Sequence, residues 1–304
     1  MNNIQCPLCQ KSHCSIEEKI QKQDLVFLYK KNFKIDIDRL IDSDLNYIHC
    51  NDCDLRFFLD KDSKMPTGDN EFYNSFNQFP WYYMTEKTEY RYTKDYIKPS
   101  SKVLEVGCGK GAFAKFLPKA DYTGLEFSTE AKKLAEQNGI NIQNISIQEY
   151  AKIHPQSFDV VCSFQVLEHV SNPREFIESK LAALRGGGHM IIAVPSEDSF
   201  MKDIINGVLN MPPHHLSRFS DKSLENIAKI FNLKLISIYH ENIQPEHIDM
   251  YKSAQWAKKF LPISLIDRGV SRKIINKLGI IGKKFIQIPS DARGQSVVAI
   301  YEKS

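Results

Sequence analysis

The stretch that decides the fold is Val103-Leu104-Glu105-Val106-Gly107-Cys108-Gly109-Lys110-Gly111. It begins with a short apolar and β-branched run, continues through three alternating glycines, and leads into a helical pattern at 112–117. Glycines at such a strand-to-helix turn allow tight turning and let a ligand approach the backbone closely. The stretch therefore predicts the first strand and the ligand-binding turn of an α/β domain.

Short apolar runs alternate with helical patterns downstream of this turn. Strands are predicted at 102–106, 121–126, 140–147, 158–164, 189–195 and 233–239, and helices at 112–117, 129–138, 173–184 and 221–231. Such alternation is typical of a parallel sheet with helices on both faces. A last strand at 295–301 is predicted to form a sheet edge that closes the domain.

The charge beside the glycine turn selects among nucleotide cofactors. A nicotinamide dinucleotide site uses Gly-x-Gly-x-x-Gly and places a pyrophosphate at the helix N-terminus. Here the pattern is Gly-x-Gly-x-Gly, and Glu105 stands two residues before it. A carboxylate at that place repels a pyrophosphate, but it attracts a cofactor that carries an ammonium and a sulfonium group. These residues favour S-adenosylmethionine.

Three further strand ends are predicted to reach the same edge of the sheet. The second strand ends at Glu126, whose carboxylate can accept hydrogen bonds from both ribose hydroxyls; an exposed strand-end acid is the alternative. Ile147 and Gln148 lie at the end of the third strand and are candidates to frame the adenine. The fourth strand, 158–164, is followed by polar residues where substrate and cofactor should meet.

At this point the sequence resembles the class I S-adenosylmethionine-dependent methyltransferases, of the group that includes the ubiquinone-biosynthesis O-methyltransferases. The matching motifs are Leu-Glu-Val-Gly-Cys-Gly-Lys-Gly at 104–111, Gly-Leu-Glu at 124–126, Phe-Asp-Val-Val at 158–161, Val-Leu-Glu-His-Val at 166–170 and Leu-Arg-Gly-Gly-Gly at 184–188. Gly186 stands where the family usually carries proline. The resemblance implies a Rossmann-like methyltransferase sheet over 98–240 plus the last strand.

The resemblance also implies where the cofactor lies. The glycine turn and Glu105 would line its methionine and ribose portion, Glu126 would hold the ribose hydroxyls, and Phe164 and Gln165 would border the transfer site. The complete set of predicted cofactor-binding residues is Glu105, Gly107, Cys108, Gly109, Gly111, Glu126, Phe127, Ile147, Gln148, Phe164 and Gln165.

The cysteines concentrate at the N-terminus, where five of the seven lie in the first 53 residues. Two pairs have the Cys-x-x-Cys spacing of metal knuckles: Cys6 with Cys9, and Cys50 with Cys53. Four thiolates from two knuckles form a closed tetrahedral site, which predicts a structural Zn²⁺. The alternative ligands are His13, Cys14 and His49. Reduced thiols in a small β module are the competing interpretation, because free cysteine commonly behaves as a small buried hydrophobe.

Methyl transfer to an oxygen needs a base, and a pair of histidines supplies the candidates. His214 and His215 lie in a Pro-Pro-His-His motif after the fifth strand, at the edge of the sheet where ligands bind. Either could act as the base, or could instead orient the loop through hydrogen bonds. For His169 a packing role is favoured. Arg218 is expected to hold an anionic part of the substrate or to pair with an acid.

The segment 71–97 is rich in aromatic residues and is predicted to form a helical linker or lid. Its candidates for covering the cofactor or stacking on a substrate are Trp81, Tyr82, Tyr83 and Tyr90. Plain packing is the alternative, since aromatic side chains bury large areas.

Residues 243–293 break the alternation and are predicted to form a basic helical insertion before the last strand. Nine basic residues and one acid give 252–284 a net charge of +8. One apolar helical stripe runs through Ile274, Leu278, Ile281 and Phe285, although Gly279 and Gly282 weaken any long helix. A solvated basic face over ordinary packing is the favoured interpretation. The alternatives are a lid that attracts an anionic nucleotide-sugar, a dimer contact, and a peripheral membrane contact through 252–286.

Beyond the cofactor motifs, the chain as a whole resembles methyltransferases of bacterial sugar and polysaccharide biosynthesis. The shared features are a zinc-ribbon start, an aromatic segment and a Pro-Pro-His-His motif. It implies a zinc-ribbon module at 1–70 and a catalytic domain at 98–304 that O-methylates a sugar, nucleotide-sugar or polysaccharide precursor. Sugar C-methyltransferases share the start but carry a further large C-terminal domain. C-methylation, RNA methylation that uses the zinc ribbon, and a non-catalytic cofactor-binding module remain alternatives.

Composition bounds these functions. The chain has 304 residues and a net charge of +3, which leaves −5 outside 252–284 and disfavours a nucleic-acid substrate. No apolar run approaches the ~18 residues of a membrane helix, and the N-terminus lacks the basic and apolar regions of a signal peptide. We therefore expect a soluble cytoplasmic enzyme with a small-molecule or glycan substrate; the oligomeric state is not predicted.

Overall fold

The computed structural model describes residues 4–79, 82, 86–262 and 264–304. The strands are β1 (Cys14–Ile20), β2 (Leu45–Cys50), β3 (Arg56–Leu59), β4 (Lys102–Val106), β5 (Asp121–Leu125), β6 (Ile142–Gln143), β7 (Phe158–Phe164), β8 (Leu184–Pro195), β9 (Ser217–Arg218), β10 (Leu233–Asn242) and β11 (Arg293–Lys303). The α-helices are α1 (Lys22–Phe33), α2 (Asn70–Asn74), α3 (Thr88–Lys94), α4 (Thr129–Gln137), α5 (Ile147–Ile153), α6 (Pro173–Ala183), α7 (Asp221–Ile230), α8 (Ile248–Lys258) and α9 (Val270–Gly282).

Seven strands form the large sheet in the order β10-β11-β8-β7-β4-β5-β6. The five strands from β8 to β6 are parallel, and β11 runs antiparallel to both of its neighbours. Because β4 lies between β5 and β7, the strand order reverses beside it, which is where ligands bind in open α/β sheets. The predicted α/β fold with a mainly parallel sheet is confirmed.

The predicted strand at 140–147 is mostly wrong, because only Ile142–Gln143 pairs as a strand and α5 begins at Ile147. The side chain of Asn144 donates to the carbonyl oxygens of Glu126 and Phe127 at 2.8 and 2.9 Å, which turns the chain away from the sheet. Ser146 then caps α5 by accepting the backbone N–H of Glu149. The isoleucine-rich pattern indicated a strand, but polar capping residues end it early.

The last strand is not an edge. β11 lies between β8 and β10, and β10 forms the edge of the sheet. Residues 297–301 of β11 are at most 1% exposed, so both faces of the strand are covered. Their nearly continuous apolar sequence is the pattern of a central strand. The strand before it, β8, begins earlier than predicted, at Leu184, with a shift in its pairing register through the glycines of 184–188.

The N-terminal residues form a second, four-stranded antiparallel sheet in the order β1-β2-β3-β9. Its fourth strand comes from the far side of the sequence, where Ser217 pairs with Phe57 and Arg218 with Arg56. One continuous cluster of buried apolar side chains joins this sheet to the large one. The N-terminal sheet is therefore built partly from the loop that carries the predicted histidines.

The insertion contains α8 and α9, as expected, but its apolar stripe faces outward. Ile274, Leu278, Ile281 and Phe285 are 53–79% exposed. The glycines form the contact face instead: a Cβ built on Gly279 or Gly282 would lie 3.1 or 2.3 Å from the ring of Trp256 on α8. The predicted packing of this apolar stripe against the protein is therefore wrong. The glycines allow α9 to approach α8 closely, so the glycine face packs and the apolar stripe is left exposed. In the described part of the chain, none of the helices is both long and apolar enough to cross a membrane.

Candidate active site

The glycine turn after β4 has the backbone that only glycine adopts easily. Gly107, Gly109 and Gly111 all have positive φ, between 53° and 73°. A Cβ on Gly107 would lie 2.5 Å from Cγ2 of Val166, which follows β7, and one on Gly111 would lie 2.8 Å from Ile140. The turn is therefore packed closely against the ends of the neighbouring elements.

Glu126 is held in position beside this turn. One of its carboxylate oxygens accepts the backbone N–H of Gly109 at 2.8 Å, and the other accepts that of Ser128 at 2.7 Å. A carboxylate has about four lone-pair positions, so two remain for hydroxyl donors. Asn144, which the sequence did not single out, fixes the backbone of Glu126 from the other side. This geometry fits the predicted role of holding a ribose.

Glu105 is buried, with 2% of its surface exposed, and accepts a hydrogen bond from the hydroxyl of Tyr122. Burial raises the pKa of Glu105 to about 8, and the Tyr122 hydroxyl and the positive charge of Lys87 offset only part of this effect. The group is therefore mostly protonated at neutral pH, and a cation bound beside it would restore its charge. That behaviour suits a cofactor with an ammonium group.

The other predicted cofactor-binding residues differ in what their side chains can reach. Cys108 points into a small buried cluster beneath Gly124, so only its backbone faces the turn. The side chain of Phe164 is 3% exposed and packs edge-on against Tyr90 and Phe113. Cofactor contact through either side chain is not favoured by this packing.

Four further predicted residues differ in exposure and contacts. Phe127 is 66% exposed, Ile147 is buried, and Gln148 is half-buried at the start of α5. Gln165 has a positive φ of 59°, and its amide donates to Glu89 at 3.0 Å and to the hydroxyl of Ser296 at 3.1 Å. Gln165 thus ties the end of β7 to α3 and β11.

Three histidines come together at the end of β7. The ring centroids of His169, His214 and His215 lie 4.6–4.8 Å apart. One ring nitrogen of each lies within 4.8 Å of the other two. The pair at 214–215 was predicted from its motif, but His169 was expected only to pack. Its Nδ1 bonds to the backbone oxygen of His214 across 45 residues of sequence, and no local pattern predicts that contact.

Each ring has its Nδ1 bonded to an oxygen that can only accept. These are the carbonyl of His214 for His169 at 2.6 Å, that of Leu209 for His214 at 2.9 Å, and the side-chain oxygen of Asn210 for His215 at 3.0 Å. The Nδ1 atoms therefore carry the protons, and the Nε2 atoms carry lone pairs. Burial lowers the pKa of His169 to about 4 and those of His214 and His215 well below 6.5, so all three rings are neutral at pH 7.

Glu168 lies beside this cluster; its backbone carbonyl accepts the N–H of Leu216 at 2.7 Å, but its carboxylate oxygens have no hydrogen-bond partner among the described residues. It is 1% exposed, and its carboxylate lies 3.9 Å from Nε2 of His169. Burial raises the pKa of Glu168 to about 8, while the nearby charge of Lys87 opposes that rise. The positive charge of Lys87, which precedes α3, lowers the pKa of both Glu105 and Glu168.

The environment of Arg218 decides between its two predicted roles. The guanidinium is 4% exposed, lies 3.5 Å from the carboxylate of Glu197, donates to the backbone of Asn210, and sits over the rings of Tyr47 and Phe58. Arg218 thus pairs with an acid. It holds the histidine loop against the N-terminal sheet.

The predicted aromatic lid is described only in part. Tyr82 stacks on Phe76, and its hydroxyl lies 3.4 Å from Nε2 of His214. Tyr90 is 4% exposed and belongs to the core beside Phe113. Trp81 and Tyr83 lie outside the described residues.

The four knuckle cysteines meet in one cluster. Sγ of Cys6 lies 3.5 Å from that of Cys53, and Sγ of Cys9 lies 3.5 Å from that of Cys50. All four sulfur atoms lie within 4.8 Å of one another. Four thiolates at about 2.3 Å from one zinc ion are about 3.8 Å apart, so this donor set fits the metal. None of His13, Cys14 and His49 belongs to the cluster.

Comparisons with known proteins agree with this geometry. A family model described as "Methyltransferase domain" matches residues 74–238, more than half of the chain. A protein named ubiquinone biosynthesis O-methyltransferase from Actinobacillus pleuropneumoniae is 31% identical over 176 residues, which cover 49% of this chain and 75% of that protein. Its namesake from Pectobacterium carotovorum is 29% identical over 133 residues, covering 39% and 56%.

The fold is shared more widely than the sequence. The crystal structure of a SAM dependent methyltransferase from Archaeoglobus fulgidus has a TM-score of 0.53 at 19% identity, covering 77% of this chain and all of that one. The chain spans only about half the length of the first curated relatives that it matches. The family match, the sheet order and the glycine turn agree: the chain belongs to the class I S-adenosylmethionine-dependent methyltransferases.

Proposed function

We propose that this methyltransferase methylates a hydroxyl group of a small molecule or glycan precursor, with a sugar or nucleotide-sugar as the first substrate class to test. The observation that carries the proposal is the histidine cluster, whose three neutral rings keep their Nε2 lone pairs next to the strand end that borders the glycine turn. A hydroxyl must lose its proton on methylation, and imidazole lone pairs are suited to assist that loss.

The described residues divide the work as follows. When bound, the cofactor supplies an electrophilic methyl group on a sulfonium. Glu105 is placed to balance its ammonium group, and Glu126 to accept from its ribose hydroxyls. His214 or His215 remains the candidate base, because each presents an Nε2 lone pair while its Nδ1 is anchored. Much of the rate is expected from holding acceptor and methyl group in line.

Two acceptor classes compete. The sugar class rests on the likeness of the N-terminal cysteines and the Pro-Pro-His-His motif to bacterial sugar methyltransferases. The relatives named ubiquinone biosynthesis O-methyltransferase favour O-methylation too, and make a hydroxylated aromatic intermediate of ubiquinone biosynthesis the second class to test. Both classes require transfer to oxygen.

The cysteine cluster is proposed to hold a structural zinc ion that supports the histidine loop. Asp54, next to Cys53, accepts a hydrogen bond from Ser220, and Phe58 donates its backbone N–H to the carbonyl of Leu216. Tyr29 donates to the carbonyl of Val208 at 2.9 Å. These contacts bind both ends of the loop that carries His214 and His215, and they support a structural task for the module within this chain.

A radiolabelled-methyl screen tests the proposal. Purified enzyme with labelled S-adenosylmethionine is offered nucleotide-sugars, sugar phosphates, dihydroxylated aromatic compounds and RNA. Label in a sugar or aromatic product, with the new methyl identified on oxygen by NMR, supports the proposal. Label only in RNA, or on a carbon atom, contradicts it. His215→Asn, which keeps a side-chain donor but removes Nε2, should lose turnover while His154→Asn, outside the cluster, keeps it.

A further inference from the structure

We propose that His169, His214 and His215 form a binding site for a divalent transition metal, separate from the cysteine cluster. This inference rests on the proposed function in one respect, namely that the metal would act on the acceptor hydroxyl; with the Nε2 lone pairs bound to the ion, the metal takes the place of a histidine base. The three side chains come from two loops, one after β7 and one before β9, and they meet in one cluster.

The donor atoms suit such a metal. Imidazole nitrogen is a preferred ligand of Zn²⁺ and its neighbours in the first transition row. A histidine that binds metal through one nitrogen usually donates its other ring N–H to a carbonyl or carboxylate, which fixes the ring. All three rings show that arrangement, since each Nδ1 is bonded to an oxygen and the Nε2 lone pair remains for a ligand. At His214 the ion would displace the Tyr82 hydroxyl, which lies 3.4 Å from Nε2.

The spacing is close to that of a bound site. Three nitrogens at about 2.1 Å from one tetrahedral ion lie about 3.4 Å apart. The largest separation among the clustered nitrogens is at most 4.8 Å. The clustered nitrogens are therefore at most about 1.4 Å farther apart than a bound ion requires.

Glu168 supplies an independent observation. Its carboxylate is 1% exposed, has no hydrogen-bond partner among residues 4–79, 82, 86–262 and 264–304, and lies 3.9 Å from Nε2 of His169. A buried carboxyl group without a partner is costly. A cation held by the three rings would provide the compensating charge.

Three protein ligands leave a fourth position open, which is the arrangement of catalytic rather than structural metal sites. The acceptor oxygen could occupy that position, where the metal would lower the pKa of the hydroxyl. On transfer the O–H bond breaks with its proton passing to solvent, and the oxygen electron pair forms the new bond to the methyl carbon. The bond from that carbon to the sulfonium sulfur breaks and leaves its electron pair on the sulfur of S-adenosylhomocysteine.

Metal binding is tested with the full-length protein and Co²⁺. A titration followed by absorption should show two kinds of site: one with the intense near-ultraviolet bands of thiolate ligands and one with only weak visible bands. His214→Asn and His215→Asn keep a donor in place of Nδ1–H and remove Nε2. We expect each to weaken the second site more than about 100-fold and to leave the thiolate site intact, while His154→Asn leaves both unchanged.

The outcomes separate this inference from the proposed function. Absence of a second site in the wild type, or its persistence in both asparagine variants, overturns the metal site whatever the enzyme methylates. Weak-band Co²⁺ binding without any O-methylated product supports the metal site and counts against the proposed function. Unfolding temperature and cofactor affinity of each variant exclude misfolding as the cause of a lost site.

The exposed stripe, which runs along α9 and ends at Phe285 in the turn just beyond it, carries a second inference, independent of the histidines: we infer that it contacts an anionic membrane surface. Lys273, Lys277 and Lys284 each directly precede a stripe residue and are exposed beside it. Apolar side chains flanked by lysines on one helix face match the interface of an anionic bilayer. A symmetric dimer through the same face would bring like charges together, which disfavours a second copy as the occupant.

Co-sedimentation with vesicles tests this surface. We expect binding to phosphatidylglycerol vesicles, at least tenfold weaker binding to phosphatidylcholine, and loss of binding in a Leu278→Glu, Phe285→Glu double variant. Ile153→Glu, an equally exposed apolar site on α5, should bind as the wild type does. Equal affinity for both lipids, or a dimer in solution that the double variant dissociates, would overturn the inference.

Discussion

Glu105 gives the sharpest quantitative prediction, because its pKa of about 8 couples cofactor affinity to pH. The free enzyme holds a proton on Glu105 below pH 8, and a bound ammonium group favours the ionised form. Binding therefore releases a proton, and affinity rises with pH. With a free-state pKa near 8, the ionised fraction grows from about 1% at pH 6 to about 9% at pH 7. S-adenosylmethionine should bind about ninefold more tightly at pH 7 than at pH 6.

Isothermal titration calorimetry measures this directly. The α-amino group of the cofactor, with a pKa of ~7.7–8.0, stays mostly protonated over that range. Titrations in two buffers of different ionisation enthalpy report the proton released, which should approach one per site. Glu105→Gln removes the titrating group, so its affinity should not change between pH 6 and 7, whereas Glu130→Gln, on the exposed side of α4, should behave as the wild type. A flat wild-type profile, or a slope that persists in Glu105→Gln, would show that Glu105 does not couple cofactor affinity to pH.

Three further predictions concern packing and the metal module. Gly107→Ala places a methyl group 2.5 Å from Val166 at a positive φ, so it should cost about 1–3 kcal/mol of stability and weaken cofactor binding; unchanged affinity and unfolding free energy would count against it. Gly282→Ala should lower the free energy of unfolding by about 1–3 kcal/mol, because the new methyl group meets the ring of Trp256; the same change in an exposed helix raises it by ~1 kcal/mol. Urea unfolding measures the change, with Gly186→Ala, at an open site, as the control. Cys9→Ser should lower bound zinc by about one ion per chain and reduce turnover more than cofactor affinity, because the module supports the histidine loop; full zinc content would contradict the assignment.

The sequence predicts the centre of the fold well, because it is encoded locally. The apolar run at 102–106 and the glycines after it together predict the first strand, the turn and the ligand-binding edge of the sheet. One helix and one strand separate this turn from Glu126. The paired knuckles likewise predict the cysteine cluster, since two Cys-x-x-Cys spacings fix which residues meet.

The contacts that escaped prediction join residues far apart in sequence. The pairing of Arg218 with Arg56 and the bond from His169 to the backbone of His214 leave no periodicity or spacing signal. The end of the third strand was missed for another reason: the hydrogen bonds of Asn144 and Ser146 overrode the strand propensity of the isoleucines. Tertiary contacts and capping therefore decided what local patterns left open.

Calorimetric titration of the wild type and Glu126→Ala with S-adenosylmethionine and with NAD⁺ tests the assignment of the cofactor site most directly. We predict that the wild type binds S-adenosylmethionine alone. The variant should lose at least tenfold in affinity, since it forfeits charge-assisted hydrogen bonds to the ribose worth about 1.5–3 kcal/mol each, with its unfolding transition preserved. Binding of NAD⁺, or undiminished affinity in a folded Glu126→Ala, would contradict the assignment of the glycine turn and Glu126 as the cofactor site.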